Sequence, residues 1–303
     1  MSTTAATEIH PGSLITGDGQ VQFAGLLFGP GTPFRIASEG LGGWEELPAI
    51  DTGDAARPAG HGSWPGALWA GPRTITAQVW VMPDPGADAD EIREHVRALR
   101  RATAVDHRER WLAVRLHGET LACRARVLQR VVPTDRRFVG QGVAKATIQW
   151  QATDPRRYEP EEQLLGTELP SRENGLTWPL AWPLAWGRAG STGDLTVTHH
   201  GSAPIAPLIT FHGPCDRPSL RLPATGVALS YDIDLAQGDE LTVDTSDGSV
   251  LLNGTASRKE TAESGSAPEE LFTLDPGDTL LSFRAASGGP GARAEVRWRT
   301  AHW

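Results

Sequence analysis

Frequent glycine and proline residues are the feature that most restricts how this chain can fold. Its 303 residues include 34 glycines and 23 prolines, spread along the sequence without a regular period. Proline interrupts a helix, and both residue types favour turns. We therefore expect many short strands joined by turns, with few long helices. The length suits about two domains.

Alternation of apolar and polar residues predicts strands in the first half. It extends over 74–81, 112–116, 121–127 and 144–152. A period of two marks a strand with one buried face. The two middle stretches flank a turn at 117–119 and predict a hairpin, with Cys123 on its apolar face.

One helix is predicted between these strands. Asp88 is a suitable N-cap, and apolar residues follow at helical spacing in Ile92, Val96 and Leu99. That spacing places them on one stripe of a helix. Together with the strands, this pattern indicates an α+β first domain that consists mostly of antiparallel strands.

The second half predicts strands and turns only. Ile205, Pro207, Ile209 and Phe211 alternate, and the dipeptides Asp247-Gly248 and Asn253-Gly254 are strong hairpin signals. Strands at this spacing suggest a β-sandwich or a jelly roll. Before it, the repeat Trp178-Pro-Leu-Ala, Trp182-Pro-Leu-Ala predicts an extended connector, because its prolines exclude a regular helix.

Bulk properties argue against several classes of protein. The net charge of −9 is unsuited to coating nucleic acid, which requires a basic surface. No apolar run approaches the roughly 20 residues that cross a bilayer, and the first residues do not resemble a signal peptide. Cys123 and Cys215 are far apart in sequence and are expected to be buried free thiols.

No catalytic, cofactor or metal site is predicted. The segment at His61 lacks the pattern of a nucleophile elbow and is expected to be a turn. His199 and His200 would point to opposite faces of a strand, and we expect both to be exposed. Asp232 and Asp234 lack the glycine and the distant glutamate of a calcium loop.

Several motifs, in order along the chain, resemble the siphovirus-type distal tail proteins of bacteriophages. The loop at Arg57–Gly62 followed by Gly71–Ile75 is similar to that family's loop and first strand. Ala152–Tyr158 resembles the end of its first domain. In the second half, Leu274–Leu280 and Val296–Arg299 are similar to its late turn and last strand, with Thr279 where asparagine is usual.

This resemblance implies a mainly β protein. It implies an N-terminal belt domain at 1–165 with a split β-barrel-like sheet and one helix, the Trp/Pro-rich connector at 166–190, and a galectin-like β-sandwich at 191–303. Six copies would form a ring, with the sheet rim of one copy closed by its neighbours. The ring would join the tail tube to the tail hub or fibre proteins, and the tape-measure protein would pass through its lumen.

The implied role is that of a structural virion protein at the tail tip, assembled in the bacterial host cytoplasm, and not that of an enzyme. Trp80 lies on the polar side of its strand and is the one candidate subunit contact, unless the connector covers it. Two alternatives stay open. The chain could be a carbohydrate-binding adsorption protein, with a host carbohydrate as partner, or a baseplate component of a phage-derived particle or gene transfer agent.

Overall fold

The chain divides into two compact units. The computed structural model describes residues 9–84, 86–172 and 190–303. One unit comprises residues 1–160 and Trp303, and the other comprises residues 161–302. The predicted connector falls outside the described residues from 173 to 189, and its Trp-Pro repeat with it.

The first unit contains twelve strands and two helices in its described part. In chain order these are β1 Val21–Phe23, β2 Leu26–Phe28, β3 Phe34–Gly42, β4 Ile50–Thr52, β5 Ala55–Ala56, β6 Ser63–Trp64, β7 Leu68–Ala70, β8 Arg73–Val81, α1 Ala89–Ala102, β9 Arg110–Leu116, β10 Glu119–Val131, α2 Arg136–Gln141, β11 Ala144–Ala152 and β12 Arg157–Tyr158.

The main sheet of this unit curls into a split barrel. Its strand order is β2-β1-β9-β10-β11-β8-β3. The first half of β10 pairs with β9 and the second half with β11, so this one strand joins the two halves of the sheet. At the ends of the order, the rings of Phe28 and Phe34 lie 5.8 Å apart. The two edge strands therefore contact each other at that point, but they do not pair as strands. The closing of this rim by neighbouring copies stays a prediction.

The predicted strands and hairpin of the first unit are confirmed. In the hairpin, Leu121 is opposite Val114 and Cys123 is opposite Leu112. His117 and Gly118 form the turn with positive φ angles of 52° and 83°, as tight hairpin turns require. The apolar face of these strands forms a buried core around Trp150.

Helix α1 begins and ends near the predicted residues. The Asp88 side chain accepts hydrogen bonds from the amides of Asp90 and Glu91, which caps the first turn. Leu99 is buried in the core of the barrel, and Ile92 and Val96 are partly buried on the same stripe. The short helix α2 was not predicted, because six residues are too few for a helical stripe to be recognised.

The second unit has fourteen strands in its described part. They are β13 Gln163–Glu168, β14 Asp194–His199, β15 Leu208–His212, β16 Cys215–Asp216, β17 Ser219–Arg221, β18 Ala228–Ser230, β19 Asp234–Leu235, β20 Glu240–Asp244, β21 Ser249–Leu252, β22 Ala256–Ser257, β23 Gly277–Arg284, β24 Ser287–Gly288, β25 Arg293–Trp298 and β26 Ala301–His302. Single 3₁₀ turns lie at Lys259–Thr261 and Glu269–Leu271.

Two of its sheets pack face to face. One has the order β13-β25-β15-β20-β21-β22 and the other β14-β23-β17-β18. Phe211 in the first sheet and Phe283 in the second are both fully buried, with ring centroids 5.8 Å apart. The chain is therefore mainly β, as predicted, with a sandwich in its second half.

Two details of the second unit differ from expectation. The strand predicted from Ile205 begins only at Leu208, because Pro207 has no amide to donate to a ladder. The predicted boundary between first domain and connector, at 165/166, falls inside β13. This strand pairs along its length with β25, so it lies in the sandwich sheet of the second unit.

Both cysteines are buried free thiols, as predicted. Burial raises the pKa of Cys123 to about 12 and that of Cys215 to about 11, so both thiols stay protonated at pH 8. Because the thiolate is the reactive form, neither should react with a disulfide reagent in the folded chain. Absorbance of the released reagent should show two thiols after denaturation. Fast labelling of either thiol in the folded chain would contradict this prediction.

Replacing Phe283 by alanine should remove the main contact between the two sandwich sheets. Truncating a buried phenylalanine costs about 3–5 kcal/mol in the free energy of unfolding. Leu280→Ala, on the same strand but 47% exposed, should cost about 0.5 kcal/mol or less. Denaturant unfolding of the full chain, followed by circular dichroism, measures both. Equal effects of the two substitutions would show that Phe283 does not hold the sheets together.

Candidate assembly surface

An extended arm leaves the barrel between strands β3 and β8. Strand β4 pairs with β7 and β5 pairs with β6, which gives two short antiparallel ribbons in succession. We call residues 47–71 the arm. The ribbons are held by the amide of Gly53, which donates to the carbonyl of Ala67, and by the amide of Gly71, which donates to that of Ala49.

The arm exposes large apolar side chains on both of its faces. Trp69 lies opposite Asp51 on one face, and Leu68 lies opposite Thr52 on the other, because residues paired across strands share a face. The exposed fraction is 68% for Trp69 and 67% for Leu68. Three further apolar residues of the arm are exposed, namely Leu47, Ile50 and Trp64.

Such a ribbon gains little stability on its own. A two-stranded hairpin without further packing is marginally stable in water. Contiguous exposed apolar surface on a folded protein marks a site of interaction, and tryptophan is enriched among the residues that dominate binding energy. The arm is therefore the candidate functional site of the first unit.

A buried arginine fixes the root of the arm. Arg73 is 1% exposed. Its Nη1 donates to the carbonyls of Gly43, Trp44 and Glu46 at 3.0, 3.0 and 2.6 Å, and its Nε donates to the carbonyl of Pro155 at 2.7 Å. Burial, followed by the nearby charge of Arg157, lowers the pKa of Arg73 from its ordinary value. The four carbonyl oxygens accept hydrogen bonds from the charged guanidinium and so replace the water that it loses on burial.

A second arginine supports the same root. The Arg157 guanidinium lies 5.7 Å from the ring centroid of the buried Trp44 and forms an ion pair of 2.9 Å with Glu45. Arg73 and Arg157 come from the two motifs that carry the family resemblance in the first half. The structure brings these motifs together at the root of the arm.

The end of the second motif is a compact hydrogen-bond network. The Asp154 carboxylate accepts from the Tyr158 hydroxyl at 2.6 Å and from Nε of Arg156 at 2.8 Å. Burial and the negative charge of Asp154 raise the pKa of Tyr158, so this hydroxyl remains a donor. The network fixes the chain around Pro155, whose carbonyl binds Arg73.

Glycine is required at the root and in the ribbon. Gly43 has a φ of +81°, and an added Cβ would lie 1.9 Å from the carbonyl oxygen of Thr74. At Gly66, an added Cβ would lie 2.1 Å from the carbonyl oxygen of Gly53 on the opposite strand. Both positions permit a close approach of two backbones that a side chain would prevent.

Trp80, the predicted subunit contact, lies on the barrel and not on the arm. It is half-buried on β8, with Lys145 and Arg35 as its partners on the neighbouring strands. The Lys145 ammonium is 5.8 Å from the ring centroid and also binds Glu39 at 2.9 Å. That hydrogen bond lowers the pKa of Glu39. A subunit contact at Trp80 stays a prediction.

The other polar segments singled out from the sequence do not converge. His61 lies in the exposed turn between β5 and β6. His199 is buried, contrary to expectation, because its Nε2 donates to the carbonyl of Ala203 at 2.7 Å while Nδ1 accepts from the amide of Gly201. Asp232 pairs with Arg217 at 2.9 Å. Within the described ranges, no three His, Cys, Asp or Glu side chains are grouped as metal ligands would be.

No helix in the described part of the chain is both long enough and apolar enough to cross a bilayer.

Comparison with known proteins gives a family match within the second half of the chain. Residues 200–302 match the family model described as the siphovirus-type tail component, C-terminal domain. No curated protein sequence matches the chain.

Solved structures extend the likeness to the whole fold. One similar structure is the Dit protein (gp 19.1) of phage SPP1, which is described as a paradigm of the hub adsorption apparatus in phages infecting Gram-positive bacteria. Its TM-score is 0.62 at 12% sequence identity, and the alignment covers 93% of this chain and 98% of the Dit chain. Chains of the phage P2 baseplate in its activated conformation, with Ca or with Sr, have TM-scores of 0.52 and 0.51 at 9% identity, over 89% of this chain and 91% of theirs. The resemblance to siphovirus tail proteins is confirmed.

Replacing Arg73 by methionine should loosen the root of the arm. Four carbonyls would lose their donor, and the free energy of unfolding should fall by about 3 kcal/mol or more. Arg93→Met is the matched control, since Arg93 pairs only with Asp90 on the surface and should change stability by less than about 1 kcal/mol. Denaturant unfolding compares the two variants. If they are equally stable, Arg73 is not the anchor of the root.

Proposed function

We propose that this chain, whose second unit carries the C-terminal domain of siphovirus-type tail components, is a structural subunit of a bacteriophage tail tip. Copies of it form a ring that joins the tail tube to the tail hub and fibre proteins. The family match over 200–302 and the shared fold over most of the chain support the tail role. The exposed arm supports the assembly.

The arm is the observation that carries the proposal. A protein that acted alone would have to keep Trp69 and Leu68 in water, at an unfavourable free energy of roughly 25 cal/mol per Å² of apolar surface. Contact with another copy removes that surface from water. The arm is the part of the first unit whose large apolar side chains, Trp69 and Leu68, are about two-thirds exposed on a two-stranded ribbon.

A ring follows from the use of one projecting element per chain. An arm that binds a different surface on the next copy makes a head-to-tail contact, and repeated head-to-tail contacts close into a ring when the rotation allows. We propose six copies, as the family resemblance implies. The tape-measure protein would pass through the lumen, and assembly would take place in the host cytoplasm before the ring becomes part of the virion.

The proposal includes no enzymatic step. Catalytic sites bring together titratable groups whose pKa values are shifted toward neutrality. In the described part of the chain, the groups with the largest shifts are buried thiols and phenols, Cys123, Tyr158, Cys215 and Tyr231, whose pKa values move away from neutrality.

Carbohydrate binding by the sandwich finds less support. An open groove on the outer side of its smaller sheet is lined by serine, arginine and small residues: Ser219, Arg221, Pro223, Gly226, Ala228, Ser230, Ser282 and Arg284. None of these described residues offers an aromatic ring for a sugar to stack on. Trp298, the tryptophan described in this unit, is only 6% exposed. A glycan array with the full chain tests this alternative, and binding that depends on the sandwich would favour it.

A role in a phage-derived particle or gene transfer agent uses the same ring and the same surfaces. Neighbouring genes separate the two cases. A tape-measure gene upstream and a tail-hub gene downstream, within a complete set of phage genes, support the tail.

The purified full chain should assemble, and native mass measurement should show a closed oligomer. Trp69→Ala should weaken assembly by roughly thirtyfold or more, as expected for an aromatic residue that dominates an interface. Leu271→Ala is the control, because Leu271 is equally exposed, at 67%, but lies on the second unit, and it should leave the oligomer unchanged. Electron microscopy of virions should place the ring at the end of the tube. A chain that stays monomeric at high concentration and is absent from virions would refute the proposal.

A further inference from the structure

A cleft of about 430 Å³ lies on the first unit. It is bounded by the turn between β1 and β2, the end of α1, the loop after α1 and the middle of β10. Four arginines line it, namely Arg101, Arg108, Arg110 and Arg126. Asp106 is the one acidic residue among its described lining. We call it the arginine cleft.

Two of these guanidinium groups, those of Arg108 and Arg126, form no ion pair with a described residue. Arg110 pairs with Asp106 at 2.8 Å, and Arg101 pairs with Glu94 at 2.7 Å. Arg108 makes no ion pair with any described residue. Arg126 donates from Nη2 to the Gln151 side chain at 3.5 Å. Its Nε atom is buried and has no hydrogen-bond partner within the described chain, although a buried donor normally has one.

The cleft also has an apolar side. Val105 at its rim is fully exposed, and Leu26, Ala98 and Val127 lie in its lining. Its occupant should therefore combine carboxylates with apolar side chains. A nucleic acid or a free anion would satisfy the arginines and leave Val105 in water.

We infer that the arginine cleft receives the arm of a second copy of this chain. The arm carries what the cleft requires. Asp51 lies directly across the ribbon from Trp69, and Arg57 is the arm's single basic residue apart from histidine. Asp54 lies three residues after Asp51, and one of its carboxylate oxygens accepts from the Gly66 amide at 2.8 Å. Asp51 makes no ion pair with the described residues of its own chain.

The contact joins two chains. Trp69 and Leu68 are about two-thirds exposed, so the arm does not occupy the cleft of its own chain. Donor and acceptor are different surfaces, as a head-to-tail ring requires. This inference rests on the proposed ring and identifies the two surfaces that close it.

Charge reversal tests the pairing. Asp51→Arg and Arg108→Glu should each weaken assembly of the full chain on the order of tenfold or more, because each places like charges together at the interface. A chain with both reversals should assemble again. Arg97→Glu is the control, since Arg97 is exposed on the same helix but does not line the cleft.

Mixing the two single variants tests whether the contact is intermolecular. A ring of either variant alone would bring like charges together at its interfaces. An alternating ring of the two variants would pair opposite charges at every interface. Native mass measurement of the mixture should show this alternating ring. The cleft assignment is wrong, and the arm binds elsewhere, if the unaltered chain assembles and the single reversals leave its assembly unchanged. The same conclusion follows if neither the double reversal nor the mixture restores assembly. In both cases the proposed ring itself stands. If the unaltered chain never assembles, the proposed function itself fails.

Discussion

The buried guanidinium of Arg73 is the interaction on which the first unit depends. A charge removed from water is costly unless polar groups surround it. Here the carbonyls of Gly43, Trp44, Glu46 and Pro155 do so. They come from the start of the arm and from the segment that ends the barrel, so one side chain fixes both. Because its root is fixed, the arm leaves the barrel in a defined direction with little apolar contact of its own.

This arrangement separates folding from assembly. The barrel and the sandwich each bury their own apolar faces, as the contacts of Phe28 with Phe34 and of Phe211 with Phe283 show. The apolar residues of the arm are left in water until another molecule covers them. The arginine cleft offers the complementary charges on the same chain. A subunit with one donor and one acceptor surface can close into a ring when the rotation between neighbouring copies allows.

The regular parts of the fold could be predicted from the sequence, and the irregular parts could not. Strand β11 and the hairpin around His117 show a period of two over many residues, and α1 shows both a cap and a stripe. The ribbons of the arm are two or three residues long and are separated by glycine and proline, so no period can appear. The one signal for the arm was the pair Leu68-Trp69 in a segment with no core to bury it. The burial of His199 depends on a turn at Ala203 that adjacent histidines do not reveal, and Arg108 gives no sign in sequence that it lines a cleft.

Amide hydrogen exchange in the arm tests the central claim most directly. A two-stranded ribbon in water exchanges its amides quickly, whereas one packed against a neighbouring chain is protected. The amides of β4 and β7, at 50–52 and 68–70, should exchange slowly in the assembled protein and quickly in the dissociated chain, while the barrel strands are protected in both. Fast exchange of these amides in the assembled ring would contradict the proposed contact, because the arm would then remain in water and not be covered by a neighbouring chain.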